Sequence, residues 1–321
     1  MNSFPVDLVY LWVDGKDPKW LSKKNSALIA EGKKPEKDAA ARYFDNDELK
    51  YNLRSVEKFA PWINHIFIIT DNQIPKWLNT KNKKITIVDH SEIIPKKVLP
   101  IFNSSLIEFF IQNIPNLSEH FLLANDDTFF GNNIYPEYFF DKKTGMPIIR
   151  AKSSDLIKKS APDNNYDSIV LNSKKFLMKI LGNNHSYNWT SAHNIDPFVK
   201  SVIQNILEFP IVNKELLKML PHKFRRDSDM HRTIFHEYML ANGQAKIKIY
   251  TKIKKIWLKI IGRYDEFPQY VTHAKKLEKM RTHGKMPKLF CINNSGINLE
   301  RDKYNHAFLN HLLPDKSEFE K

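Results

Sequence analysis

A chain of 321 residues, 42% hydrophobic and 27% charged, has the composition of an ordinary globular protein, long enough for one large domain or two small ones. Its net charge of +14 calls for a polyanionic partner or surface, with a lysine-rich solvated exterior as the plain alternative. One cysteine, Cys291, excludes an internal disulfide framework; the first residues, Met-Asn-Ser-Phe-Pro-Val-Asp, do not read as a signal peptide, and the sequence shows no apolar run near the roughly 20 residues of a membrane span, no glycine-rich phosphate loop and no nucleic-acid-binding signature.

Residues Val6 to Val13 read as a strand that ends at Asp14-Gly15. A helix follows from Pro18 to Ala30, with Asp17 as its N-cap. Residues 31–41 read as a loop, and Asp47 to Phe59 as a helix with Leu49, Leu53 and Val56 on one stripe and Arg54 and Glu57 off it. His65 to Thr70 is a second strand, ending at Asp71-Asn72, and Ile85 to Val88 a third, ending at Asp89-His90. After a helical pattern over 103–113, Phe121 to Ala124 forms a fourth apolar run that breaks into Asn125-Asp126-Asp127.

Strands alternating with helices predict an α/β fold with a mostly parallel sheet and helices on both faces. Each strand runs into acidic or amide residues at its carboxyl end, the edge at which open α/β sheets bind ligands. Adjacent carboxylates there suit Mg²⁺ or Mn²⁺, completed by substrate phosphate; an isolated Asn-Asp-Asp would otherwise read as a turn.

The second half changes character. Asp196 to Leu207, Asn213 to Leu220 and Ser228 to Ala241 read as helices. Residues 246–261 put Ile249, Ile253, Ile256, Trp257 and Ile260 on one face of a helix and lysines on the other. That pattern suits a core helix with a wet lysine face, or else a helix on a membrane surface; the core reading is the more common one. Leu289 to Ile292 is one more strand, ending at Asn293-Asn294. The organisation expected is an α/β core from residues 1–150 plus about 285–300, and a mainly helical acceptor or lid region over about 151–284, in one catalytic unit.

Four ordered blocks carry a resemblance: Asp7 to Asp17; Arg42 to Trp62, continuing into Ile66 to Leu78; Leu99 to Asp127; and His222-Lys-Phe-Arg-Arg-Asp-Ser-Asp-Met230. With the tail residues Phe290 to Asn294, they make the chain similar to the Stealth-type sugar-phosphate transferases over nearly its whole length. That family includes bacterial capsule hexose-1-phosphate transferases and the N-acetylglucosamine-1-phosphotransferase that tags lysosomal enzymes. The resemblance implies a nucleotide-sugar transferase, GT-A-like α/β fold. It also implies transfer of a hexose-1-phosphate from a UDP-hexose or UDP-N-acetylhexosamine to a hydroxyl of a glycan or lipid-linked oligosaccharide, with release of UMP.

On that resemblance Asp126, Asp127 and Asn294 are expected to hold Mg²⁺ or Mn²⁺, Asn294 standing where some relatives carry Asp. Arg54 and Arg225, with Arg42, are candidate phosphate clamps, because a planar guanidinium grips phosphate through two donors. Asp14, also a catalytic candidate, and Asp71 end neighbouring strands as contacts for nucleotide or ion, with Asn72 and His222 as further candidate nucleotide contacts. His193 is the preferred general base, with Asp229 as its orienting or structural partner. The expected setting is a bacterial cytoplasm, peripheral to an anionic membrane, with no nucleic acid partner. The alternatives are a metal-dependent glycosyltransferase releasing UDP and a non-catalytic binder of anionic glycan.

Overall fold

The computed structural model describes residues 4–37, 43, 45–153, 165–181, 189–192, 194–293 and 298–321. Along the chain the strands are β1 (Val6–Leu11), β2 (Ile66–Thr70), β3 (Ile85–Asp89), β4 (His120–Asn125), β5 (Thr128–Phe130), β6 (Ile148–Ser153), β7 (Trp189–Ser191), β8 (Asp196–Val199), β9 (Lys246–Tyr250), β10 (Gln269–Val271) and β11 (Leu289–Ile292). The α-helices are α1 (Pro18–Ala30), α2 (Glu48–Phe59), α3 (His90–Ile93), α4 (Ser104–Ile107), α5 (Asn165–Leu181), α6 (Lys200–Glu208), α7 (Pro210–Met219), α8 (Thr233–Ala241), α9 (Lys252–Ile260), α10 (Lys275–Thr282) and α11 (Leu299–Leu312).

The main sheet has five strands in the order β3-β2-β1-β4-β8. β1 to β4 are mutually parallel, and β8 runs antiparallel along β4. The chain lays β1, β2 and β3 outward in one direction, then returns past β1 to place β4 on its other side. The carboxyl ends of β1 and β4 therefore diverge at a topological switch point, where the helices that follow leave a crevice. In register, Leu11 of β1 lies between Ile69 of β2 and Asn125 of β4.

Both faces of this sheet are covered, which is why its strands read as continuous apolar runs. Val9, Phe67, Ile69, Phe121 and Leu123 point to one side, where they join Phe109, Ile111 and Phe235. Leu8, Tyr10, Ile68, Leu122 and Ala124 point to the other, against Leu49, Leu53 and Val56 of α2. The stripe read in the sequence of α2 is thus the face that anchors it. α1 begins as expected, with Asp17 accepting a hydrogen bond from the Lys19 amide at 2.9 Å and Pro18 in the first turn.

Three helical expectations are corrected. Residues 196–207 do not form one helix: Asp196–Val199 is β8 and the helix begins at Lys200. Pairing with Leu123, Leu122, Phe121 and His120 of β4 overrides local propensity there. Residues 246–261 are likewise divided. Lys246-Ile-Lys-Ile-Tyr250 alternates with the period of a strand and pairs parallel with β6, Ile247 beside Ile149 and Ile249 beside Ala151. Only Lys252–Ile260 is helical, and its apolar stripe is not core: Ile253 is 80% exposed and Ile260 78%, while Leu258 is buried. The stretch 103–113 becomes the single turn α4 and then a 3₁₀ segment, Glu108–Asn113. Among the described residues no helix is long and apolar enough to cross a membrane.

Candidate active site

Where β1 and β4 leave the sheet side by side, Trp12 and Val13 join Asn125, Asp126 and Asp127 in lining a cleft of about 290 Å³. The turn carrying the carboxylates is set by α2. Asn52, fully buried, directs its side-chain amide at the carbonyls of Thr128 (2.5 Å), Asp126 (3.1 Å) and Asn125 (3.4 Å). Its oxygen accepts from the Tyr10 hydroxyl of β1 at 2.7 Å, which ties both sides of the switch point to one side chain. The Thr128 hydroxyl closes the same turn on the Asn125 carbonyl at 2.7 Å.

Negative charge is crowded on this side. Burial raises the Asp126 carboxyl well above its usual range, and the charges of Asp127, Glu48 and Asp45 add to the shift. Glu48, at the start of α2, is pushed up to about 7, first by burial and then by Asp45, against the opposing hydrogen bonds from Asn46. Asp127 receives the Cys291 thiol on Oδ2 at 3.3 Å, while its buried Oδ1 has no hydrogen-bond partner. Burial and that carboxylate keep the Cys291 thiol protonated.

Two arginines also belong to the cleft, each held by its partners. Arg232, buried, donates to Glu108 Oε1 at 2.8 Å and Asp196 Oδ2 at 3.3 Å, joining the 3₁₀ segment, β8 and the entry to α8. Arg225 lines the cleft and donates to Ser104 Oγ at 2.5 Å. Its loop is held by Asp229, whose Oδ2 accepts from Asn103 Nδ2 (2.8 Å) and the Arg226 amide (2.9 Å). Aromatic side chains contribute as well: Trp20, Tyr43 and Phe102 line the cleft, with Trp20 edge-on to Phe102 at 5.4 Å. His90, at the start of α3, also lines it. Burial lowers the pKa of this imidazole, with Asp71 opposing, and its Nδ1 lies 4.0 Å from Asp71 Oδ1. The imidazole is neutral near pH 7.

The structure brings together Asp126, Asp127 and Arg225 among the candidates, with Asn293 as a further lining residue. Asp71 sits behind His90, buried and paired with Lys23 Nζ at 2.5 Å. Asp14 follows β1, next to the lining residue Val13, but its carboxylate caps its own turn through the Lys16 amide (2.8 Å) while its backbone is clasped by Gln73. Asn72 is exposed in a left-handed conformation (φ 55°) and donates its amide to Asp89 Oδ2 at 2.6 Å. His222 is half-buried and does not line the cleft.

Arg54 is elsewhere. Its guanidinium forms a two-pronged pair with Glu320, Nε–Oε1 at 2.7 Å and Nη2–Oε2 at 2.8 Å, and Nη1 donates to the Leu313 carbonyl at 2.9 Å. It secures the C-terminal segment against α2, where Phe319 is fully buried and Glu320 bridges to Leu78. Arg42, His193 and Asn294 lie outside the described residues. Glu48, His90, Ser104 and Arg232 were not singled out in the sequence. Only the position of His90 after a strand-ending Asp89 hinted at a role; Ser104 and Arg232 take theirs from distant partners, and Glu48 from its burial.

A divalent cation suits the acidic side. An orphaned buried oxygen on Asp127 and neighbouring carboxylates that add to the raised pKa of Asp126 are both features a cation relieves. Among the described residues no three carboxylate, imidazole or thiolate groups form a complete cage, so part of the coordination would come from a ligand.

The fold and cleft define an open parallel α/β protein whose switch-point crevice groups paired carboxylates with arginine. Residues 4–32 match the model of Stealth protein CR1, conserved region 1, and residues 42–148 that of Stealth protein CR2, conserved region 2. The capsular polysaccharide phosphotransferase fcs1 of Haemophilus influenzae is 36% identical over 92% of this chain and 80% of its own length. The capsular polysaccharide phosphotransferase cps12A of Actinobacillus pleuropneumoniae is 34% identical over 96% and 81%. The exopolysaccharide phosphotransferase cps2G of Lactiplantibacillus plantarum is 30% identical over 99% and 97%. The chain belongs to the Stealth family. A structure of galactosyltransferase LgtC with donor and acceptor sugar analogs covers 96% of this chain and 95% of that one at 11% identity and a TM-score of 0.44, too distant to bear on the site.

Proposed function

We propose that this chain is a phosphotransferase of capsule or surface polysaccharide synthesis. In this reading it moves a hexose-1-phosphate, such as an N-acetylhexosamine-1-phosphate, from a UDP-sugar to a glycan hydroxyl. The acceptor oxygen bonds to the β-phosphorus, the bond from that phosphorus to the oxygen bridging the two phosphates breaks, and UMP leaves. The observation that carries the reading is the juxtaposition in one cleft of Asp126 and Asp127 with Arg225, in a chain whose relatives are named phosphotransferases.

Asp126 and Asp127, with Asn294, would hold Mg²⁺ or Mn²⁺, which supplies neutralising charge to the diphosphate. Arg225 offers a guanidinium in the same cleft for the non-bridging oxygens, at a position prepared by Asn103 and Asp229. Trp20, Tyr43 and Phe102 give the nucleobase a flat apolar surface. For the acceptor proton we retain His193, on the family-matched segment, as the general base. His90 is the second imidazole to consider, since burial leaves it neutral and able to accept.

The test is to incubate the protein with Mg²⁺, a panel of UDP- and GDP-sugars and an oligosaccharide acceptor, and to identify the released nucleotide. UMP with a phosphodiester-linked product is expected. Release of UDP instead would make the chain a sugar transferase, and nucleotide binding without turnover would make it a binder.

A further inference from the structure

The least expected surface of the molecule is α9. Its ends are fixed by local chemistry: Thr251 caps it by accepting the Lys254 amide at 3.1 Å, and Gly262, in the left-handed conformation (φ 73°), ends it. There the Gly262 and Arg263 amides return to the carbonyls of Lys259 (3.2 Å) and Leu258 (2.8 Å), the closure typical of a Schellman C-terminus. The helix has nine residues and buries only Leu258 against the body. Helices this short draw their stability from packing of an apolar face. Here the larger apolar face, Ile253, Ile256, Trp257, Ile260 and the adjoining Ile261, is turned outward, at 80%, 59%, 54%, 78% and 42% exposure.

The rim of that face is basic. Lys252, Lys254 and Lys259 are exposed and flank the stripe on its two sides, with Lys255 half-buried below. Burial lowers the Lys255 pKa, and Lys152, Lys276 and Lys259 lower it further, so lysines from β6, α9 and α10 converge on one patch. Lys276 is lowered in the same way, by burial and then by Lys259.

We propose that α9 lies in the surface of an anionic membrane, its isoleucines and Trp257 in the acyl boundary and its lysines among phospholipid headgroups. A lone stripe of isoleucines could equally meet another protein, but the lysine rim decides between them. Two copies of this face would set lysines against lysines, while an anionic bilayer neutralises them. The face is also small for a dimer. A nine-residue helix is roughly 14 Å long, whereas a stable interface buries about 800 Å² on each partner. In-plane amphipathic helices have this arrangement of apolar face, interfacial Trp and basic edges. The proposal stands apart from the transfer reaction and adds an address to it: the cleft would work at a lipid surface.

The experiment is co-sedimentation of the full chain with sugar-free vesicles, of phosphatidylcholine alone or with phosphatidylglycerol. Binding to the phosphatidylglycerol vesicles, weakened by salt, is expected, with little binding to phosphatidylcholine. The double variant Ile253→Gln/Ile260→Gln should partition about 10-fold or more weakly, the scale of two lost apolar insertions. Lys254→Gln and Lys259→Gln should each weaken binding to anionic vesicles about 5-fold. All these positions are exposed, so thermal unfolding should not change. Failure to bind phosphatidylglycerol vesicles, or binding that ignores both sets of variants, overturns the proposal. So does a dimer in sedimentation velocity that the isoleucine variant dissociates. Because the vesicles carry no donor or acceptor, none of these outcomes bears on sugar-phosphate transfer.

Discussion

Replacement of Glu48 by Gln separates folding from the charge held ready in the cleft. The folded chain binds the Glu48 proton more tightly than the unfolded chain does, with the pKa raised from 4.5 to about 7 by burial and by Asp45. Folding is therefore favoured most below the unfolded value and loses free energy as pH climbs through 7, because the native state then surrenders a proton it held. At 1.36 kcal/mol per pKa unit, a rise from 4.5 to about 7 amounts to about 3 kcal/mol. The amide loses one acceptor for the Asn46 donors, a loss of about 1 kcal/mol at any pH. Glu48→Gln should thus be stabilised by about 2 kcal/mol at about pH 8, and slightly destabilised at about pH 5. Thermal unfolding of the metal-free protein, followed by circular dichroism, should show a gain of about 2–5 °C only at the higher pH. Equal effects at both pH values, or a loss at pH 8, would refute the view that these carboxylates strain one another. Added Mg²⁺ should raise the wild-type Tm more than the variant's, since the cation relieves the same repulsion.

The other expectations concern single side chains. Asp127→Ala should abolish most turnover while the circular dichroism spectrum is kept, and excess EDTA should do the same to the wild type; full activity in EDTA would remove the metal from the mechanism. Arg225→Lys should lower kcat/KM about 10²-fold, the scale of one lost donor to developing charge, with an unchanged Tm. Arg54→Lys should act differently, through its partner: burial pushes the Glu320 carboxyl up, but Arg54 and Ser317 more than offset this and hold it low. That pairing stabilises above the usual carboxylate range and is lost as pH falls through the lowered value, so the variant's Tm deficit, read near neutral pH, should shrink in acid. A kcat/KM loss without any Tm change would return Arg54 to phosphate binding. His193→Ala should lower kcat strongly, leave nucleotide affinity intact and remove the acidic limb of the pH–rate profile, near 6–7. If His90→Ala does this instead, the base is His90.

Much of the main sheet was legible because its signals are local. Each of β1 to β4 is an apolar run long enough to be seen, and each ends in Asp or Asn or runs into one shortly after. Asp17-Pro18 announces α1 in two residues. What could not be read depends on partners far along the chain. Asp196-Pro-Phe-Val199 is too short to show a strand's alternation and becomes β8 only because β4 has an open edge. Lys246-Ile-Lys-Ile-Tyr250 does alternate, but the helical spacing of Ile249, Ile253, Ile256 and Ile260 runs through it and hid the break at Thr251. The same spacing says which residues share a face, not whether anything covers it. In the site, Asp126 and Asp127 stood out as a pair. Glu48 gains its raised pKa first from burial, and Arg232 its place from Glu108 and Asp196, relations that no short window of sequence contains.

The Arg232 network has a consequence for how the active protein comes into being. It joins residues 108, 196 and 232, and the cleft it walls draws on positions from Leu11 to Asn293. A nascent chain or fragment that ends before Arg225 lacks both arginines of the cleft, although it already carries Asp126, Asp127, Trp20 and Phe102. During refolding, secondary structure should therefore return before nucleotide binding does, and turnover should track the slowest-folding part of the molecule.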